Sequence, residues 1–127
     1  MAGAYSPFEP ASRPGGRPEP KPTYRVLVHR RFRDLWDALP LRVGIESAQQ
    51  FYDHVAHTPG TPPRVNSATV LRGKAGKPKF DGGSRTIHYE ISGAGRIDYQ
   101  YVDSFTGGDT GDAHRVVFIL TIDLGSH

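Results

Sequence analysis

The sequence predicts an α+β domain in which an N-terminal strand and a helical hairpin precede an antiparallel sheet. Three observations carry this. Tyr24-Arg-Val-Leu-Val-His29 is a run of apolar and β-branched residues, residues 32–55 place apolar side chains three and four apart, and from Arg85 onward apolar and polar residues alternate. A helix returns to one face every third or fourth residue and a strand every second, so the change of period marks a change of element. Helices grouped before strands, rather than interleaved with them, point to α+β packing with the helices on one face of the sheet.

Taken in order, residues 1–22 hold six of the 11 prolines and Gly15-Gly16. Lacking a periodic apolar face, they are expected to be a disordered tail, with the domain spanning 23–127. After the first strand and Arg30-Arg-Phe-Arg33, the spacing of Phe32, Leu35, Trp36 and Leu39 predicts a short helix that Pro40 ends or kinks. Leu41, Ile45, Ala48, Phe51, Tyr52 and Val55 form the stripe of a second helix, stopped by Thr58-Pro-Gly-Thr-Pro-Pro63. Val65 to Leu71 reads as a turn or strand, and Arg72 to Phe80 as a flexible basic loop. Arg85–Ile91 and Arg96–Val102 alternate on either side of Ser92-Gly-Ala-Gly95, a hairpin with a four-residue loop. Asp103 to Ala113 is a polar connection, expected to be mobile, and Val117 opens a final buried strand.

A chain of 127 residues builds one core. The absence of cysteine excludes disulfides, thiolate nucleophiles and thiolate metal sites. No cationic segment leads into an apolar leader and no apolar run reaches membrane-spanning length, so a cytoplasmic location without membrane attachment is expected. A net charge of +3 permits a polyanionic partner.

The charge is concentrated. Arg64, Arg72, Lys74, Lys77, Lys79, Arg85 and Arg96 face only Asp81 and Glu90 in the same stretch, a density suited to a phosphodiester backbone. Phe80, Tyr89, Tyr99 and Tyr101 lie among these cations, where aromatic rings stack bases or pack the sheet. Strand parity puts Arg85, Ile87, Tyr89 and Ile91 on one face and Thr86, His88 and Glu90 on the other, so one set meets the helices and the other is available to a site. His127 follows the bend permitted by Gly125, and an imidazole there is a candidate acid or base. His54 and His57 are three apart on a helix, but their place at its C-terminal end is equally that favoured by the helix dipole, and neither a metal nor a cofactor is expected.

Leu71-Arg-Gly73, Ser92-Gly-Ala-Gly-Arg-Ile-Asp-Tyr99 and Leu124-Gly-Ser-His127, in that order, resemble the RelE/ParE superfamily of bacterial toxin-antitoxin systems over residues 23–127. The resemblance implies a RelE-like β-α-α-β-β-β fold and a toxin acting as a metal-independent mRNA endoribonuclease, often on the ribosome. A cognate antitoxin would form a hetero-oligomer with it. By position, Arg96 matches the hairpin arginine that holds phosphate and His127 the catalytic residue of the last strand. Arg85 is expected as a second phosphate clamp, His88 or Tyr89 as a further proton-transfer or stacking group, and Arg72, Lys74, Lys77 and Lys79 as RNA-binding charges. The family often continues past this histidine to an aromatic residue that this sequence lacks. That departure favours the alternative of a ParE-like non-enzymatic inhibitor of DNA gyrase; a catalytically silent binding module is the third reading.

Overall fold

A computed structural model describes residues 7–16, 22–60, 68–71, 73–80, 82–93, 95–105 and 113–125. The described residues form a mixed α+β structure with two α-helices, two short 3-10 turns and one six-stranded sheet. The strands are β1 (Phe8–Pro10), β2 (Arg25–His29), β3 (Ala68–Val70), β4 (Ile87–Glu90), β5 (Arg96–Phe105) and β6 (His114–Asp123). Their order across the sheet is β1-β2-β6-β5-β4-β3; β2 runs parallel to β6 and every other pairing is antiparallel. No helix among the described residues is long and apolar enough to cross a membrane.

The apolar run recognised in β6 lies at the centre of the sheet. Val116, Val117, Phe118 and Ile119 are all buried, as are Val26, Leu27 and Val28 opposite them, because both faces of the sheet are covered there. On one face lie α1 (Arg33–Val43) and α2 (Ile45–His57). Their Trp36, Leu39, Phe51 and Val55 pack with Val26, Val28, Ile87, Tyr89, Ile97, Tyr99, Val117 and Ile119. The other face carries a smaller cluster, Leu27, Val102, Val116 and Phe118, roofed by Phe8, Phe80, Phe105 and Leu120.

Three expectations need correction. Residues 7–16 are not a tail: β1 pairs with β2, Ala11 is buried, and Trp36 Nε1 donates to the Ser12 carbonyl at 3.0 Å. Arg13 also forms a two-pronged ion pair with Asp53, at 2.9 and 3.1 Å. Isolated apolar residues, too few to show a period, anchor this segment. Pro40 does not end the first helix. It forgoes one backbone bond, to the Trp36 carbonyl, and the helix runs on to Val43, where Gly44 at φ +94° breaks it. Consequently Leu41 falls on the wet side, 92% exposed, and Ile45 is exposed as well, so the second helix buries only Ala48, Phe51, Tyr52, Val55 and Ala56. The polar connection is also shorter than expected, since β5 extends to Phe105 and β6 starts at His114; residues 106–112 lie outside the described ones.

Candidate active site

Strand register builds the site. The last ladder pair of the β4–β5 hairpin is Glu90 with Arg96, which leaves five residues in the loop rather than four and puts His88 directly opposite Asp98. A one-residue slip would have set His88 against Tyr99, on the opposite face. On β6, Tyr99 pairs with Ile119 but Asp98 pairs with Thr121, so Leu120 is an extra residue, a β-bulge. The bulge returns Ile122 to the helix-side core and brings Thr121 beside Asp98. The resulting row, Thr69, His88, Asp98 and Thr121, crosses four strands.

His88 Nδ1 and Asp98 Oδ1 are 2.5 Å apart, with the two side chains 34% and 25% exposed. An ionised carboxylate only accepts hydrogen bonds, so Nδ1 carries the proton and, in the neutral ring, the lone pair is on Nε2. A base oriented by a carboxylate in this way is the arrangement that general base catalysis uses.

The neighbouring row is charged. Arg96 lies between Glu90 and Asp123. Its Nη1 donates to the carbonyls of Ser92, Gly93 and Gly95 at 3.2, 3.4 and 2.9 Å, while Nη2 stands 3.9 Å from Glu90. Asp123 accepts from the Gly125 N–H. His88, Asp98 and Thr121 of the first row and Arg96 and Asp123 of the second line a cleft of about 520 Å³. It forms where β6 outruns β2, whose last partner on β6 is Ile119, and α1 supplies the far wall through Leu35 and Arg42.

Of the residues singled out in the sequence, His88 and Arg96 meet in this cleft, and the set with Arg85 and Tyr89 does not join them. Tyr89 is 7% exposed, its ring 4.9 Å from that of Phe51, and burial raises its pKa. It is a core residue. Arg85 is spent on backbone: Nε donates to the Leu71 carbonyl at 2.9 Å and Nη2 to the Gly73 carbonyl at 2.6 Å, which staples the basic loop. The same approach fixes Gly76, where a Cβ would lie 1.9 Å from the Leu71 oxygen. Lys74, Lys77 and Lys79 are exposed, and none lines this cleft. Arg72 and His127 lie outside the described residues.

Sequence reading missed Asp98 as the partner of His88, because a four-residue hairpin loop sets His88 against Tyr99 and only the five-residue loop brings Asp98 opposite it, and it missed Arg42, which nothing in the sequence tied to the strands. It also missed Gln100 as the anchor of the lysine loop. His54 and His57 each bond a threonine hydroxyl, at 3.3 and 3.2 Å, and among the described residues no three His, Cys, Asp or Glu side chains gather around a common point. Comparison with known protein families, with curated proteins and with solved structures gives no match.

Proposed function

We propose that this chain is a RelE-like endoribonuclease, the toxin of a toxin-antitoxin pair, in which His88 is a proton-transfer residue and Asp98 positions it. The observation that carries the reading is the His88–Asp98 pair, 2.5 Å apart in a cleft that also holds Arg96 and Arg42. The order of elements is compatible with it in part: β2, the two helices and β4 to β6 follow the expected β-α-α-β-β-β succession, with β1 and β3 as additional strands.

In this scheme His88 Nε2 removes the proton of a ribose 2′-hydroxyl. The 2′-oxygen bonds to the adjacent phosphorus, and the bond from phosphorus to the 5′-oxygen breaks. Arg42 takes the charge that grows on the non-bridging oxygens, together with Nη2 of Arg96, whose Nη1 is held by the loop carbonyls. The departing 5′-oxygen gains a proton from a second acid, the role that the family resemblance gives His127, leaving a 2′,3′-cyclic phosphate and a 5′-hydroxyl. Two carboxylates, Asp98 and Asp123, share the cleft with the two arginines, so the local field is balanced and the arginines act as directed donors rather than as a diffuse positive patch. The partners that go with the reading are mRNA, with or without the ribosome, and an acidic antitoxin. Leu41 and Ile45, exposed at the corner between the helices, offer such a partner apolar contact.

The test is incubation of the protein, free and with ribosomes, with an RNA and with the same strand carrying 2′-deoxyribose throughout. Cleavage of the RNA alone, with cyclic phosphate ends, is the expected result. Intact RNA with and without ribosomes, together with inhibited gyrase supercoiling, would replace this reading with that of a gyrase inhibitor.

A further inference from the structure

A second cleft, of about 460 Å³, adjoins the first and shares Phe32 and Thr121 with it. Aromatic rings form much of its wall. Phe80 stacks on Phe118 with ring centroids 4.0 Å apart and 16° between planes, and Phe8 meets both edge-on, at 6.0 and 5.0 Å. Arg31 and Lys79 bring two cations, with the Arg31 guanidinium 5.7 Å from the Phe32 ring centre, and no carboxylate lines the cleft among the described residues.

The walls are held in place. β1 sets Phe8 opposite His29, and the backbone N–H of Lys79 donates to buried Gln100 at 2.9 Å, which fixes the segment carrying Lys79 and Phe80. His29 Nδ1 accepts from the Arg31 N–H at 3.1 Å, so in the neutral ring the proton sits on Nε2 and is available as a donor.

We propose that this second cleft is a nucleotide subsite, which takes the base of an unpaired nucleotide flanking the scissile phosphate on Phe8 and Phe80, and its phosphate on Arg31 and Lys79. The assignment of the flanking position rests on the ribonuclease reading of the neighbouring cleft. A single strand of RNA meets both requirements at once. Every nucleotide offers the π-face of its base to the rings and its phosphate to the cations, and one strand running through the shared wall at Phe32 and Thr121 engages both clefts. An acidic peptide would satisfy the cations but supplies no reason for the continuity with the His88 cleft.

The test is equilibrium binding of a single-stranded 2′-O-methyl oligoribonucleotide, which the 2′-hydroxyl route cannot cut, and of versions carrying one abasic nucleotide at each position in turn. Loss of one particular base is expected to weaken binding roughly tenfold, within the range that base stacking on aromatic side chains supplies, and Phe8→Ala is expected to abolish that dependence. Arg31→Ala and Lys79→Ala, both at exposed side chains, are expected to keep the wild-type melting midpoint and each to reduce the salt slope of binding by about 0.7. Indifference to abasic position, unchanged salt slopes in both charge variants, or binding of an acidic peptide without binding of the oligonucleotide would each overturn the subsite. Base-dependent binding without cleavage of ordinary RNA counts against the nuclease alone, whereas cleavage with base-indifferent binding counts against the subsite alone.

Discussion

Gln100 shows how much one side chain settles here. It is fully buried, donates to Thr86 Oγ1 and the Lys77 carbonyl at 2.9 and 3.0 Å, and accepts from the Lys79 N–H at 2.9 Å. Gln100→Ala removes the partner of three polar groups and opens a cavity, together a loss of at least about 2–3 kcal/mol, so the melting midpoint is expected to fall by about 10 °C or more. Limited proteolysis of the variant should cut first between Lys77 and Phe80; a midpoint within about 2 °C of wild type would show that this network contributes little. His54 tests the other face. Burial lowers its pKa, so the unfolded chain binds a proton that the folded chain resists. Its contribution to stability is complete above the ordinary value of about 6.5 and is lost as pH falls from there through the depressed folded value. Acidification from pH 7 to about pH 5 should therefore cost His54→Gln less of its midpoint than wild type, and equal losses would remove His54 from the balance. At this scale the sequence was partly legible. Alternation separated His88 from Tyr89 correctly, but whether a cation meets ligand or backbone depends on which carbonyls the loop presents, and so Arg85 looked like a clamp when it is a staple.

Elements were legible where their period is long. The α2 stripe from Ala48 to Val55 and the alternation of β4 and β5 can be read directly, because each repeats its pattern over several residues. Short or interrupted elements were not. β1 and β3 have three residues each, too few to show alternation, and the β6 bulge at Leu120 leaves no signal of its own in an apolar run. β1 has measurable consequences. Removing residues 1–16 takes away the Phe8 packing, buried Ala11, the Arg13–Asp53 pair and the bond from Trp36, so the midpoint is expected to drop by more than 5 °C, the effect of about 1 kcal/mol in a domain of this size. An unchanged midpoint in a thermal scan would mean that the segment rests on the sheet without stabilising it. Gly44 should be equally sensitive: at φ +94° a side chain is strained, and Gly44→Ala is expected to destabilise by about 1 kcal/mol or more at the junction of the two helices.

Across the whole molecule, the two faces of the sheet divide the labour. The face under α1 and α2 holds the larger core, and the opposite face holds the smaller cluster, the Gln100 anchor and the cleft residues His88 and Asp98. Amide hydrogen exchange should accordingly be slowest in β2, β6 and the middle of β5, which have neighbours on both sides, and faster in β1 and β3 at the sheet edges. The parallel closure of β2 on β6 links segments some ninety positions apart in the sequence, a pairing that no local pattern encodes, and the cleft forms where β6 runs past the end of β2. The central claim, that His88 held by Asp98 moves a proton during RNA cleavage, is tested most directly by single-turnover cleavage at saturating protein with wild type, His88→Ala and Asp98→Asn, alongside melting curves. His88→Ala is expected to lower the rate by roughly 10² to 10⁴, the usual contribution of a positioned general base, and Asp98→Asn by a smaller factor, with both variants folded as wild type. Wild-type cleavage by folded His88→Ala would contradict the account.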